Sequence, residues 1–193
     1  MTIRNLDKAF QPASVAVVGA SHRGGSVGTV VLRNILDGGF AGDVWPVNPK
    51  YRFVQGLDCF TGIDRLPGAP DLAVIVTPAP TVPKLIEELA SIGCRAAVVL
   101  SAGLTLENGL RQKMLDAARP HLFRIIGPNV LGLILPPARL NASFSHMNAN
   151  PGSLALVSQS GAMITSIIDW AADKQIGFSS VISLGDQADV DVG

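Results

Sequence analysis

The residues able to do chemistry in this 193-residue chain sit in a few turns, each following a short apolar run. The first turn reads Gly19-Ala20-Ser21-His22-Arg23-Gly24-Gly25-Ser26-Val27-Gly28 and leads into a helix-period stretch. Glycines between a strand and a helix leave backbone N–H groups converging beside a positive helix end, an arrangement suited to a diphosphate. The spacing departs from G-x-G-x-x-G, and the same loop also serves as a plain structural turn. The second turn, residues 46–52, reads PVNPKYR. A nicotinamide dinucleotide site would place Asp or Glu here for the ribose hydroxyl, and this stretch has neither. Lys50 and Arg52 instead supply positive charge, suited to a phosphorylated ribose as in NADP or the 3′-phospho-ADP part of coenzyme A. The alternative is that both are solvated loop charges.

Thr77-Pro78-Ala79-Pro80 and Ser101-Ala102-Gly103 follow two further apolar runs. Prolines restrict such loops, and small residues let a thin ligand approach the backbone at the carboxyl edge of a parallel sheet. Residues 127–132 (GPNVLG) add a rigid turn and the Asn129 amide, which either meets a ligand or ties down its own turn. Ser158-Gln159-Ser160-Gly161-Ala162 forms another turn into a helix. Its hydroxyls and N–H groups suit a phosphate, although a serine N-cap is structurally sufficient at that position.

The elements that must position these turns follow from periodicity. Near-continuous apolar runs at 14–19, 44–48, 71–77, 96–101 and 124–127 predict strands covered on both faces. Helix-period stretches at 27–37, 81–91 and 106–119 lie between them, stopped by Gly38-Gly39, Gly93 and Pro120. Alternation of this kind predicts an α/β fold, a Rossmann-like doubly wound parallel sheet over residues 1–135. Residues 136–152, with Pro136-Pro137, Pro151-Gly152 and three asparagines, read as a linker. The pattern restarts with a strand at 153–158, a helix from 161 to about 174 and a strand at 178–184. Residues 153–193 are too few for a core of their own, and read as the truncated start of a second α/β domain or an extension of the first sheet.

Composition narrows the class. The chain is 48% hydrophobic and 16% charged, against an average charged share of about 25%, so much of it must be buried. Fifteen Lys and Arg balance fifteen Asp and Glu, which removes the electrostatic signature of a nucleic-acid binder. No apolar run approaches the length of a membrane span, the first ten residues lack the apolar core of a signal peptide, and Cys59 and Cys94 form no metal or disulfide pattern. A cytoplasmic protein is expected.

The succession SVAVVGAS, PVNPK, PDLAVIVTPA, AVVLSAG, RIIGPNVLG, LNASF and LALVSQSGA closely resembles the CoA-binding region of the NDP-forming acyl-CoA synthetases. These are relatives of the succinyl-CoA synthetase α subunit, and the same module is fused to acetyltransferase domains in some bacterial protein lysine acetylases. The resemblance covers residues 10–193 and implies a CoA domain followed by the opening of a flavodoxin-like ligase domain. It places Gly19, Ala20, Ser21, Arg23 and Gly28 at the CoA nucleotide, and Asn48, Pro49 and Lys50 beside its adenosine end. It sets Thr77, Pro78 and Ala79 along the pantetheine arm, Asn129 near the thiol, and Ser158, Gln159, Ser160, Gly161 and Ala162 around a phosphate.

The resemblance further implies ligation of a small carboxylic acid to CoA at the expense of ATP or GTP with Mg, through a phosphohistidine. That histidine would fall after residue 193, since His22, His121 and His146 do not match it. Residues 1–193 are therefore expected to bind CoA without turnover, beside an ATP-grasp domain or β subunit. A homo-oligomer is left open. Two alternatives stand beside this reading: a CoA-sensing module regulating a fused acetyltransferase, and the NADP-binding domain of a dehydrogenase.

Overall fold

The computed structural model describes residues 4–192; residues 1–3 and 193, the ends of the N-terminal and last-segment readings, lie outside the described residues. The chain runs α1 (Asp7–Phe10), β1 (Ser14–Val18), α2 (Val27–Asp37), β2 (Asp43–Val47), a small hairpin of β3 (Phe53–Val54) and β4 (Leu57–Asp58), and β5 (Leu72–Ile75). It continues with α3 (Val82–Ser91), β6 (Ala96–Val99), α4 (Leu110–Ala118) and β7 (Arg124–Ile126). Strands β1, β2, β5, β6 and β7 form one parallel sheet in the order β2-β1-β5-β6-β7.

Alternate residues of each strand serve opposite faces, which is why the apolar runs are continuous. Val15, Val17, Leu72, Val74 and Val98 pack toward α2, against Val31, Leu32 and Ile35. Ala73, Ile75, Ala97 and Val99 pack with Ile86, Leu89 and Met114 of α3 and α4. The strand order reverses at β1, whose neighbours are β2 and β5, so a crevice opens at their carboxyl ends. Helix α4 starts four residues later than its periodicity suggests. Asn108 Oδ1 accepts from the N–H of Thr105 and of Leu110, and Gly109 has φ of +70°, so 105–109 is a turn.

The linker expected over 136–152 is corrected. Strands β8 (Gly132–Leu135) and β9 (Leu140–Ser143) join β10 (Pro151–Ser158) and β11 (Phe178–Ser183) in a second sheet ordered β10-β11-β8-β9, with α5 (Gly161–Asp173) between β10 and β11. The alternative of one extended sheet falls with this topology. Strand β9 is buried throughout although it reads LNAS. Its polar groups are satisfied internally: Ser143 Oγ donates to Asn141 Oδ1, and Asn141 Nδ2 donates to Asn148 Oδ1. No apolar pattern could announce such a strand.

The two sheets share a helix. Leu133, Leu135, Leu140 and Ala142 pack in the same cluster as Val31, Leu32 and Ile35 of α2, whereas Ile134 turns to Ile164 and Ile168 of α5. Residues 186–190 then return along β7. Asp186, Ala188 and Val190 donate their N–H groups to Pro128, Gly127 and Ile125, and Asp189 accepts from the buried Arg124 side chain at 2.9 Å. Among the described residues no helix is long and apolar enough to cross a membrane, and no cluster of three metal-ligating side chains occurs.

The approach to β1 is tied by Asp71, which accepts from Lys8 Nζ at 2.9 Å and from the Ala13 N–H at 2.8 Å. Desolvation pushes this carboxyl upward, but the Lys8 and Ala13 hydrogen bonds, the Lys8 charge and the contact with the backbone at Ser14 outweigh it and hold the group below its usual value. A lowered folded-state value means the contribution to stability is present above the unfolded pKa of about 3.9 and is lost as pH falls through the folded value. The melting difference between wild type and Asp71→Asn is therefore expected at neutral pH and to shrink below about pH 4 in a series of thermal melts. A difference independent of pH would show that the carboxylate charge contributes nothing.

Candidate functional site: a groove along the carboxyl edge

The first turn owes its shape to two close approaches. Gly19 has φ of +99°, and a Cβ on Gly28 would lie 2.2 Å from the Gly19 carbonyl oxygen. Glycine at both positions therefore lets the start of α2 lie directly on the end of β1. Ser26 caps α2, its Oγ accepting from the Thr29 N–H at 3.3 Å. The Thr29 hydroxyl lies 2.8 Å from each of the Ser21 carbonyl, the Arg23 carbonyl and Ser26 Oγ. It cinches the loop from inside. Neither α2 nor α5 has an acidic residue in its first turn, so no carboxylate of the helix itself opposes an anion at its start.

Asn48 joins the second turn to the first. Its Nδ2 donates to the Ala20 carbonyl at 2.8 Å and its Oδ1 accepts from the Lys50 N–H at 3.0 Å. The side chain is thus committed to positioning, while Pro49 and Lys50 stay exposed. His22, in the first turn, and Tyr51, in the second, meet with ring centroids 4.2 Å apart and their planes tilted by 45°.

Further along the edge, Thr77, Pro78, Ala79 and Asn129 line one cavity of about 500 Å³ together with Leu100 and Phe144. Ser101 Oγ donates to the Thr77 carbonyl, and Thr81 Oγ1 donates to the Pro78 carbonyl at 2.7 Å, which fixes this wall. Asn129 has φ of +62°; its N–H donates to the Ser101 carbonyl, and its Nδ2 donates to Asp186 at 3.2 Å. It both ties down its turn and lines the cavity.

An adjoining cavity of about 470 Å³ shares Leu100, Asn129 and Phe144, and adds Gln159, Gly161, Ala162 and Thr165 at the start of α5. Ser160 caps that helix through the Met163 N–H, and Ser158 Oγ accepts from the Ser160 N–H. A Cβ on Gly161 would lie 3.1 Å from the Leu131 Cβ, so glycine seats α5 closely on the end of β7's following loop. The two cavities make one groove, from the end of β5 and the start of α2 to the start of α5. Neither cavity is lined by a histidine; His146 instead meets Asp169 at 2.8 Å on the surface.

The structure therefore gathers residues 19–28 with 48–50, residues 77–79 with 129, and residue 129 with 159, 161 and 162, while Ser158 and Ser160 are bonded within their own turn. Thr29, Asn34 and Phe144 were not marked by their spacing. Thr29 sits at the third helical position after the Ser26 cap, but Ser-x-x-Thr lacks the Glu or Gln of a capping box, so the local sequence carries no signal for its role.

Comparison with known proteins bears on this groove. A model of the CoA binding domain family matches residues 13–136, and one of the succinyl-CoA ligase like flavodoxin domain matches residues 151–193. The chain is 38% identical over 190 residues to the ADP-forming acetate–CoA ligase I of Archaeoglobus fulgidus, covering 96% of this chain and 27% of that protein. It is 36% identical to the α subunit of the Pyrococcus furiosus ADP-forming acetate–CoA ligase I, covering 97% of this chain and 42% of that subunit. Among solved structures, the acetyl-coenzyme A synthetase 1 of Ca. Korarchaeum cryptofilum, in complex with phosphate and ADP, matches with a TM-score of 0.91 at 36% identity, over 96% of this chain and 40% of that one. The chain spans well under half the length of these relatives.

Proposed function

Since the chain belongs to the CoA binding domain family and corresponds to the CoA-binding region of an NDP-forming acyl-CoA synthetase, we propose that its groove carries CoA from the α2 start to the α5 start. Gly19, Ala20, Ser21 and Arg23 with the α2 N-terminus hold the diphosphate, and Gly28 allows that approach. Pro49 and Lys50, positioned by Asn48, flank the adenosine end. Thr77, Pro78 and Ala79 flank the pantetheine arm, and Asn129 lies where the thiol arrives. Ser158 to Ala162 present the N–H groups of α5 to a phosphoryl group or phosphate.

The observation that carries this reading is the shared wall of Leu100, Asn129 and Phe144, which makes one groove between two helix N-termini. An acyl phosphate meeting a thiol needs such a place: the thiolate attacks the acyl carbon, and phosphate leaves toward N–H donors already in position. In the whole protein we assign a reversible ligation of a small carboxylic acid to CoA, driven by ATP or GTP with Mg and completed by a nucleotide-binding domain or β subunit. A cytoplasmic setting suits these substrates.

The test is calorimetric titration of the chain with CoA, with NADP as competitor and Lys50→Ala as the control. Micromolar CoA binding is expected, weakened about tenfold by the loss of one phosphate-facing charge in Lys50→Ala. Binding of NADP in place of CoA would overturn the reading.

A further inference from the structure

Phe144 is the one exposed residue in the stretch 140–145, with 41% of its surface accessible between the buried Ser143 and Ser145. Its backbone is held from three sides. Asn34 Nδ2, on α2, donates to the carbonyls of both Ser143 and Ser145, at 2.9 and 2.8 Å. The Phe144 N–H donates to the Leu131 carbonyl at 3.1 Å, and the Ser145 N–H donates to Ser143 Oγ. With residues 143 and 145 turned inward and clamped, the phenyl ring is directed into the groove, where it lines both cavities. Exposure alone would say little of a single apolar side chain, but this one stands on a clamped backbone at the wall common to both cavities, where a ligand in the groove would meet it.

Its neighbours divide by chemistry. Asn129, Gln159 and Thr165, with the α5 N-terminus, are polar and suit the phosphoryl and carboxyl oxygens. Leu100 and Phe144, the apolar side chains common to both cavities, are left for the carbon chain of whatever is joined to the thiol. We propose that Phe144 is the seat of the acyl chain, the side chain by which this groove ranks CoA thioesters according to the apolar surface of their acyl group. Asn34 acts as its positioning residue, so that the helix opening the nucleotide cradle also sets the ring. The proposal rests on the CoA reading above and refines it toward short aliphatic acyl groups, whose carbons cover the ring.

The test compares CoA, acetyl-CoA and butyryl-CoA in calorimetric titrations of the chain and of its Phe144→Ala and Phe144→Leu variants. Each methylene laid on the ring is removed in part from water, so butyryl-CoA is expected to bind the wild type about fivefold more tightly than acetyl-CoA. In Phe144→Ala that ratio is expected to fall to about one, whatever happens to CoA itself, and in Phe144→Leu to recover in part. Wild-type binding of all three ligands with equal affinity overturns the acyl seat and leaves the CoA reading standing. So does a ratio that survives in Phe144→Ala. Failure of wild type to bind any of the three overturns both. Phe144 lies at the surface, so the variants are expected to melt with wild type; a thermal melt of each confirms that the ratios compare folded proteins.

Discussion

Gly28→Ala is expected to lower the melting midpoint sharply and to weaken CoA binding by about 30-fold or more, because displacing a backbone cradle by even about 1 Å removes its alignment with the ligand. The added methyl carbon would stand 2.2 Å from the Gly19 carbonyl oxygen and 3.1 Å from its carbon. Those atoms cannot swing aside. The Gly19 N–H is bonded to the Val47 carbonyl at 2.9 Å, and the residue holds a φ of +99°, with Val76 occupying the space a side chain on it would need. Relief has to come from α2 moving off β1, which disturbs Val31, Leu32 and Ile35, all fully buried. Overpacking of this kind costs typically 1–3 kcal/mol and more where backbone is struck, so about 3 kcal/mol, or about 6–12 °C in a chain of this size, is expected. Gly24→Ala is the control. A Cβ there meets nothing within 4 Å, and the midpoint is expected to stay within about 1–2 °C of wild type. Equal melting and equal CoA affinity for the two variants would show that the contact between α2 and β1 does not shape the site.

What could be read beforehand divides along the same physical line. The parallel strands were legible to within about two residues, because β1, β5, β6 and β7 are buried on both faces and the edge strand β2 is framed by glycine and proline. Glycines 19 and 28 were legible as a turn, although only the geometry shows which backbone atoms meet. Strand β9 was not legible. Its burial is that of Asn141 and Ser143, satisfied by each other and by Asn148, and a polar segment satisfied at a distance looks in sequence like a loop. The same holds for the residues that shape the groove. Asn34 works on carbonyls more than a hundred positions away, and Asn48 on one 28 positions away. Phe144 stood inside a recognisable motif, LNASF, yet its exposure depends on the inward turn of the serines beside it. Side chains that bond distant backbone carry no periodicity, and it is they that turn an ordinary parallel sheet into a groove of particular width.

Asn48→Asp is expected to be the most damaging conservative change in the nucleotide cradle. The two side chains have the same size, and the acceptor role toward the Lys50 N–H is kept. What changes is the other arm. Asn48 Nδ2 donates to the Ala20 carbonyl at 2.8 Å, and in the N48D variant a carboxylate oxygen would face that carbonyl, acceptor against acceptor. A negative charge would also enter beside the loop proposed to hold the CoA phosphates. Loss of the bond alone, as in Asn48→Ala, is expected to weaken CoA binding about tenfold, since one hydrogen bond that fixes a loop contributes about 1 kcal/mol or somewhat more. The added charge brings the loss in N48D to about 100-fold at low ionic strength, of which the electrostatic part shrinks in titrations at about 0.5 M salt as screening shortens its reach. The difference between the two variants is therefore expected to narrow with salt, while the effect of Asn48→Ala changes far less. The N48D variant also introduces an acidic side chain at the end of the second strand, where in a nicotinamide dinucleotide site a carboxylate serves to bind an unphosphorylated ribose. If titration with NAD showed it gaining NAD affinity while keeping its affinity for CoA, the charge at this turn would not be what selects the phosphorylated ligand, and Lys50 would lose its assigned role.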